Sequence, residues 1–305
     1  MKPSTRSFIE ESRRTPGHSL MDRLHGSVYG RWPYFYIGIG TGNHPLNRIF
    51  GRPLRWLARV LFPELNDKHS LADGYHGKVV PLDAATQLIT INEDVRLTNL
   101  EKIIPYARAR DIILQNPDHL AVIDCPCRVV RANPCLPLDV CLVVGEPFAS
   151  FIVEHHPQRS RRITPEEGIE LLRAEHTRGH VHHAFFKDAV LDRFYTICNC
   201  CKCCCGAINA HRDGTPMIAS SGYVCKKDTD KCINCETCID FCQFGALSVK
   251  NGHAVVDTDI CMGCGVCTTK CPQGAISLVR DQSKGEPLEI RRLIADEGFA
   301  KSKQF

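Results

Sequence analysis

Two periods of hydrophobic patterning run along this chain, and the elements they predict hand over repeatedly to cysteines. Residues 94 to 116 place Leu97, Leu100, Ile103, Ile104 and Ala107 at helical spacing, predicting a helix limited by Pro117. Thr164-Pro165-Glu166-Glu167 is a strong helix start: Thr164 caps, Pro165 takes the first turn and Glu167 completes a capping box. That helix should run to about Arg178, where Gly179 ends it. Short strands are expected at Ala121–Ile123 and at Tyr195–Ile197, and each delivers the chain to cysteines.

Residues 1 to about 75 read as irregular, punctuated by Pro33, Pro45, Pro53 and Pro63. The run Gly38-Ile39-Gly40-Thr41-Gly42 does not fit G-x-G-x-x-G, because Asn43 stands in the third glycine's place; a packing loop is expected there. Leu54 to Phe62 predicts a short basic amphipathic helix, with Arg52, Arg55 and Arg59 on one side and Leu54, Leu57 and Leu61 on another. Such a helix docks on its own domain, on a partner or on an anionic membrane surface.

Composition narrows the function. At 305 residues there is room for two or three domains, and 19 cysteines argue for cofactors. The net charge of +4 is uneven: residues 1 to 62 hold ten Lys/Arg against three Asp/Glu, and the remainder is slightly acidic. A basic N-terminal segment alone does not make a nucleic-acid binder, and no nucleic-acid partner is expected. The polar start shows no apolar export core, and Val140–Val153 is too short and too interrupted to span a bilayer. The expectation is a cytoplasmic protein, with peripheral membrane contact through the basic segment as an option.

The chemistry concentrates near the C-terminus. Cys232, Cys235, Cys238 and Cys242 form C-x₂-C-x₂-C-x₃-C, and Cys261, Cys264, Cys267 and Cys271 repeat it at an offset of 29. The flanks repeat too: Gly245-Ala246-Leu247-Ser248-Val249 matches Gly274-Ala275-Ile276-Ser277-Leu278. Structural zinc usually separates its C-x₂-C pairs by a longer spacer, and disulfides need an oxidising compartment. Over residues 225 to 280 the pattern resembles a two-cluster bacterial ferredoxin. The resemblance implies one [4Fe–4S] cluster on Cys232, Cys235, Cys238 and Cys271 and a second on Cys261, Cys264, Cys267 and Cys242. Gly263 and Gly265 would let backbone amides approach the cluster sulfurs. One departure stands out: Pro272 follows Cys271 as in the family, but Gln243 follows Cys242.

Eleven cysteines lie outside that repeat. Cys125, Cys127, Cys135 and Cys141 form one group; Cys198, Cys200, Cys201, Cys203, Cys204 and Cys205 crowd into eight positions; Cys225 stands alone, its role open. Soft thiolates at this density call for metal: one or two further iron–sulfur clusters, zinc, or redox-active thiols. In an extended run Cys201, Cys203 and Cys205 would share one side, and Cys200 and Cys204 the other. Arg128 and Lys202 would offset the charge of a thiolate cluster. His155, His156, His180, His182 and His183 read as ordinary hydrogen-bonded histidines before they read as ligands. Cys-x-Cys-Arg, the spaced cysteines, the Thr164 helix start, Gly179-His180-Val181-His182 and the Cys-Asn-Cys-Cys-x-Cys-Cys-Cys run together resemble a family of bacterial and archaeal 4Fe-4S binding proteins. That resemblance covers residues 95 to 280 and implies electron transfer.

The expected fold is α+β, in four parts. A basic N-terminal segment (1–75) would precede a cysteine-rich α+β iron–sulfur domain (76–224), a small dicluster ferredoxin-like domain (225–280) and a C-terminal helix or tail (281–305). The expected function is single-electron relay between donor and acceptor oxidoreductases through two [4Fe–4S] clusters and at least one upstream centre. The alternative is an oxidoreductase with substrate chemistry at the upstream centre; no catalytic residue is singled out.

Overall fold

The computed structural model describes residues 1–47, 51, 53, 67–98, 100–108 and 110–302. Strands β1 (Tyr75–Val80), β2 (Val95–Leu97), β3 (Ile112–Asp124), β4 (Asp139–Glu146), β5 (Ser160–Ile163), β6 (Val181–Lys187), β7 (Arg193–Cys200) and β8 (Ile218–Ala219) make one eight-stranded sheet. Its order is β2-β3-β4-β7-β6-β1-β8, and β5 also pairs with β3. Pairing is antiparallel except between β1 and β8. The centre of the sheet is covered on both faces, so β6 is buried along its whole length and β4 and β7 nearly so.

The helix Pro165–Thr177 forms as its sequence dictates. Thr164 accepts from the Glu167 N–H, and Glu167 reaches back to the Thr164 N–H. At the other end Gly179 (φ +89°) lets the His180 N–H reach the Glu175 carbonyl and the Gly179 N–H reach that of His176, a Schellman ending.

Three expectations fail. The N-terminal segment is not irregular: α1 (Pro3–Arg14), α2 (Leu20–Arg31) and α3 (Pro33–Gly40) are helices packed on the sheet domain. Phe8 inserts between Phe148 and Phe151, and Arg193, itself buried, pairs with Glu11 at 2.7 Å. The glycine run is not a packing loop: Gly38 and Gly40 lie in α3, and only Gly38 packs closely, against His44 and Val130. Nor do residues 94 to 116 form a helix. Val95–Leu97 is a strand, turns follow, and β3 begins at Ile112. Leu97, Leu100, Ile103 and Ile104 are still buried; a strand and its turns satisfy the same spacing. The predicted basic helix Leu54–Phe62 lies outside the described residues.

Downstream, β9 (Tyr223–Lys227) pairs with β12 (Ile276–Arg280), and β10 (Leu247–Lys250) pairs with β11 (His253–Val256). Between them the 29-residue repeat is visible in the backbone. Asn234 and Glu236 take left-handed φ of 54° and 63°, and their counterparts Gly263 and Gly265 take 64° and 79°. Each loop then opens a short helix, Thr237–Asp240 and Val266–Lys270. Gly263 is obligatory, since a Cβ there would lie 2.2 Å from the Tyr223 carbonyl oxygen. The last described element is the helix Ile290–Ser302.

Candidate metal centres

The two cysteine quartets downstream line two separate cavities of about 20 Å³ each. Cys232, Cys235, Cys238 and Cys271 line one; Cys261, Cys264, Cys267 and Cys242 line the other. The fourth cysteine of each run has crossed to the other run's cavity, the exchange that the resemblance implies. Backbone amides point at equivalent sulfurs in both halves: Ala246 N–H donates to Cys242 Sγ and Ala275 N–H to Cys271 Sγ, each at 3.2 Å. Thr237 Oγ1 adds a hydrogen bond to Cys235 Sγ at 3.4 Å. Burial pushes the Cys238 thiol up to about 11 and lifts Cys264 further. Such thiols ionise together only beside a cation, which a metal cluster supplies. The donor set fits.

A family model described as a 4Fe-4S dicluster domain matches residues 231–276. The C-terminal module is a ferredoxin-like dicluster domain. No curated protein shows significant similarity to the chain. The dicluster domain binds 4Fe-4S clusters, and Cys225, which the sequence left without a role, belongs to its wall. Its thiol is buried in the cavity with Cys242, Cys261, Cys264 and Cys267, and its N–H donates to Cys261 Sγ at 3.4 Å. The β9–β12 ladder sets it there by pairing Cys225 with Leu278, a contact no local motif announces.

Upstream, ten cysteines separate into two groups, and the division differs from that expected of an extended run. The chain turns at Lys202–Cys204, so Cys201, Cys203 and Cys204 fall together with Cys135, and Cys205 goes the other way. All four sulfurs of this tetrad lie within 4.8 Å of one another, Cys135 and Cys203 at 2.9 Å. Four thiolates about one tetrahedral ion at metal–sulfur distances of about 2.3 Å would stand about 3.8 Å apart, so the tetrad as it stands matches a single metal ion. A cluster there requires the sulfurs to spread.

The remaining six are delivered by strand ends at one end of the sheet. Cys125 and Cys127 follow β3, Cys141 opens β4, Cys198 and Cys200 close β7, and Cys205 caps the helix Gly206–Arg212. Cys141 sits directly across from Cys198 in the β4–β7 ladder. Thiol–thiol interactions run from Cys127 to Cys125, Cys141, Cys198, Cys200 and Cys205 in turn. Those from Cys141 and then Cys200 bring the Cys198 thiol down to about 7. All six line a cavity of about 100 Å³, together with Cys201 and Cys204 of the tetrad and Arg128; its other walls are mainly aromatic and aliphatic.

Arg128 holds both groups in place. Its guanidinium is buried and pairs with Glu175 at 2.8 Å, while also donating to the carbonyls of Asn199 (3.1 Å) and Pro137. It therefore ties the loop between Cys135 and Cys141, the helix Pro165–Thr177 and the peptide between Cys198 and Cys200. Glu175 meets its charge first, with Cys125 and Cys201 also beside it, so it both positions these segments and faces thiolate charge. The side chain of Lys202 is exposed, and its backbone N–H is directed at Gln243.

Most histidines prove hydrogen-bonded. His180 lies 2.6 Å from Glu175, His182 2.6 Å from Asn199, His155 2.9 Å from Thr5 and His156 2.7 Å from the Gly30 carbonyl. His183 differs: it is fully buried, and neither ring nitrogen has a hydrogen-bond partner among the described residues. It packs edge-on to Phe244, two residues beyond Cys242.

The dicluster domain meets the upstream domain along the end of the helix Pro165–Thr177. His176 Nε2 lies 3.0 Å from Thr269 Oγ1, and Lys270 bonds the Thr177 carbonyl while its ammonium sits 4.3 Å from the Phe241 ring centroid. Gln243 lies buried at the centre of this contact. Its amide nitrogen donates to the Gly179 carbonyl and its oxygen accepts from the Lys202 N–H, both at 2.8 Å.

Proposed function

We propose that this protein relays single electrons within one chain, between the dicluster domain and a metal centre of the upstream cysteine-rich domain. Bound clusters supply one-electron redox chemistry, because thiolate and sulfide spread the added charge. The chain's own residues supply the rest. Cys232, Cys235, Cys238 and Cys271 hold one [4Fe–4S] cluster, and Cys242, Cys261, Cys264 and Cys267 hold the other. The amides of Ala246 and Ala275 hydrogen-bond the crossing sulfurs and favour the reduced state.

The Gln243 bridge is the observation that carries this reading. Its backbone continues directly from the ligand Cys242, and its side chain ends on the peptide between Cys201 and Cys203. The dicluster domain is therefore locked in register against the upstream cysteines. A protein that only stored clusters has no need of that fixed path. The partners are a donor and an acceptor oxidoreductase. The basic N-terminal segment gives a peripheral docking surface, and among the described residues no helix is long and apolar enough to cross a membrane.

A second reading, an oxidoreductase with its own substrate, draws on the 100 Å³ cavity beside the six upstream sulfurs, where Tyr29 and Tyr195 share a hydrogen bond at 2.7 Å. A potentiometric titration followed by electron paramagnetic resonance tests the relay. It should give at least two reversible one-electron signals that vanish in Cys238→Ser, Cys267→Ser protein. A further reversible signal, from the upstream centre, should survive this double substitution; the same signals unchanged by it, or none at all, would refute the relay.

A further inference from the structure

We infer that Cys125, Cys127, Cys141, Cys198, Cys200 and Cys205 together hold a polynuclear iron–sulfur centre larger than one cubane, separate from the Cys135 tetrad. This rests on the iron–sulfur reading above and assigns its upstream centre to a place in the fold.

Donor number is the first reason. A [4Fe–4S] cube offers four irons to four thiolates. Here six thiols meet, brought from the ends of β3, β4 and β7 and the start of the helix Gly206–Arg212, and all six line one cavity. A single cube would strand two of them against it. A centre with more irons uses all six.

Size is the second reason. Each cavity of the dicluster domain, which takes one cube, measures about 20 Å³, whereas this one measures about 100 Å³. Spacing agrees. Among the described residues only the Cys135 tetrad draws its sulfurs within 4.8 Å, the span of a single ion; the six here, like the dicluster quartets, are not gathered that tightly. The chemistry of the wall narrows the metal. No carboxylate lines the cavity, so a hard cation has no ligands, and soft sulfur donors select iron–sulfur or zinc.

Sequence then links the two upstream centres. Cys200 and Cys201 are neighbours, as are Cys204 and Cys205; Cys201 and Cys204 belong to the tetrad and also line the chamber wall, so the two centres share a boundary. The tetrad's Lys202 peptide is in turn bonded to Gln243. The chamber is thus the buried end of the path that starts at the dicluster domain.

The test is metal and acid-labile sulfide analysis of the full chain, purified anaerobically, in parallel with Cys141→Ser, Cys198→Ser protein and Cys203→Ser protein. The wild type should hold more than about twelve irons: about eight in the dicluster domain and more than four in the chamber. The chamber variant should lose those extra irons with their sulfide and keep about eight. Cys203→Ser should lose at most one metal ion. Loss of only about four irons, loss of zinc without sulfide, or no loss from the chamber variant would each overturn the inference. If the chamber variant fails to fold, ⁵⁷Fe Mössbauer spectroscopy of the wild type decides: iron beyond the dicluster cubes must exceed half their spectral area, and half or less overturns it. A chamber variant devoid of cubane iron would instead count against the dicluster relay, so the two failures are distinct.

Discussion

Gln243 accepts a hydrogen bond from the backbone N–H of Lys202 at 2.8 Å, joining the residue after a dicluster cysteine to the peptide inside the upstream tetrad. The second copy of the repeat has Pro272 at the equivalent place, which has no side-chain amide to offer. The departure from the repeat therefore has a structural purpose, and it lies where the two domains meet.

Replacing Gln243 with Ala leaves the Lys202 N–H and the Gly179 carbonyl unpaired in a buried contact. Unsatisfied buried groups cost about 1–3 kcal/mol each, so the variant should lose about 2–4 kcal/mol of stability. Anaerobic thermal or denaturant unfolding measures it, and a loss below about 1 kcal/mol would show that water replaces both bonds.

Glu236 holds a left-handed backbone (φ 63°) where the second repeat uses Gly265. That conformation costs a side-chain-bearing residue roughly 1–2 kcal/mol. Glu236 is exposed. Glu236→Gly should therefore stabilise the protein by about 1 kcal/mol, after the glycine's extra unfolded-state entropy is subtracted. Paired melting curves check this, and a lower melting temperature would contradict it.

The buried Arg128–Glu175 pair ties three segments around both upstream cysteine groups. Arg128→Met leaves Glu175 with His180 and the half-exposed Arg178 alone, and breaking a buried pair by removing one partner costs about 3–5 kcal/mol. The upstream metal should be lost before the dicluster iron. Equal loss from both, measured by metal analysis against chelator concentration, would contradict a local positioning role.

Lys78 is buried, and its ammonium donates to the Glu286 carbonyl at 2.8 Å. Burial, aided by the charge of Arg280, lowers its pKa to about 7 against an ordinary 10.5. Between these values the unfolded chain binds the proton and the folded one does not, so stability from this group rises with pH from about 7 to about 10.5. Relative to Lys78→Met, the wild type should gain on the order of 3 kcal/mol between pH 7 and pH 10. Denaturant unfolding at the two pH values measures the gain. Parallel pH profiles would refute it.

What could be read from the residues, and what could not, follows from the range of the interactions. The 29-residue repeat and the Thr164–Glu167 cap are local signals, and both appear in the structure. The helices of the N-terminal segment are hidden because the buried face of α1 is Ser4, Thr5, Phe8 and Ser12: small polar residues around one aromatic, not an apolar stripe. Ser19 and Asp22 do form a capping box for α2, a signal that was available in the sequence. Residues 94 to 116 mislead for the opposite reason, since apolar spacing of three and four suits turns packed beneath a sheet as well as a helix. The sorting of the Cys198–Cys205 run depends on a turn at Lys202, which follows from long-range contacts with Gln243 and Cys135. No local reading of the run contains that information.

The central claim, that electrons pass within one chain from the dicluster domain to the upstream centre, is tested most directly by flash photoreduction of the anaerobic protein. After a pulse reduces the dicluster clusters, their signal should decay as the upstream centre is reduced, at a rate independent of protein concentration and slowed in Gln243→Ala. A decay that scales with protein concentration, or an upstream domain that never takes up the electron, would contradict it.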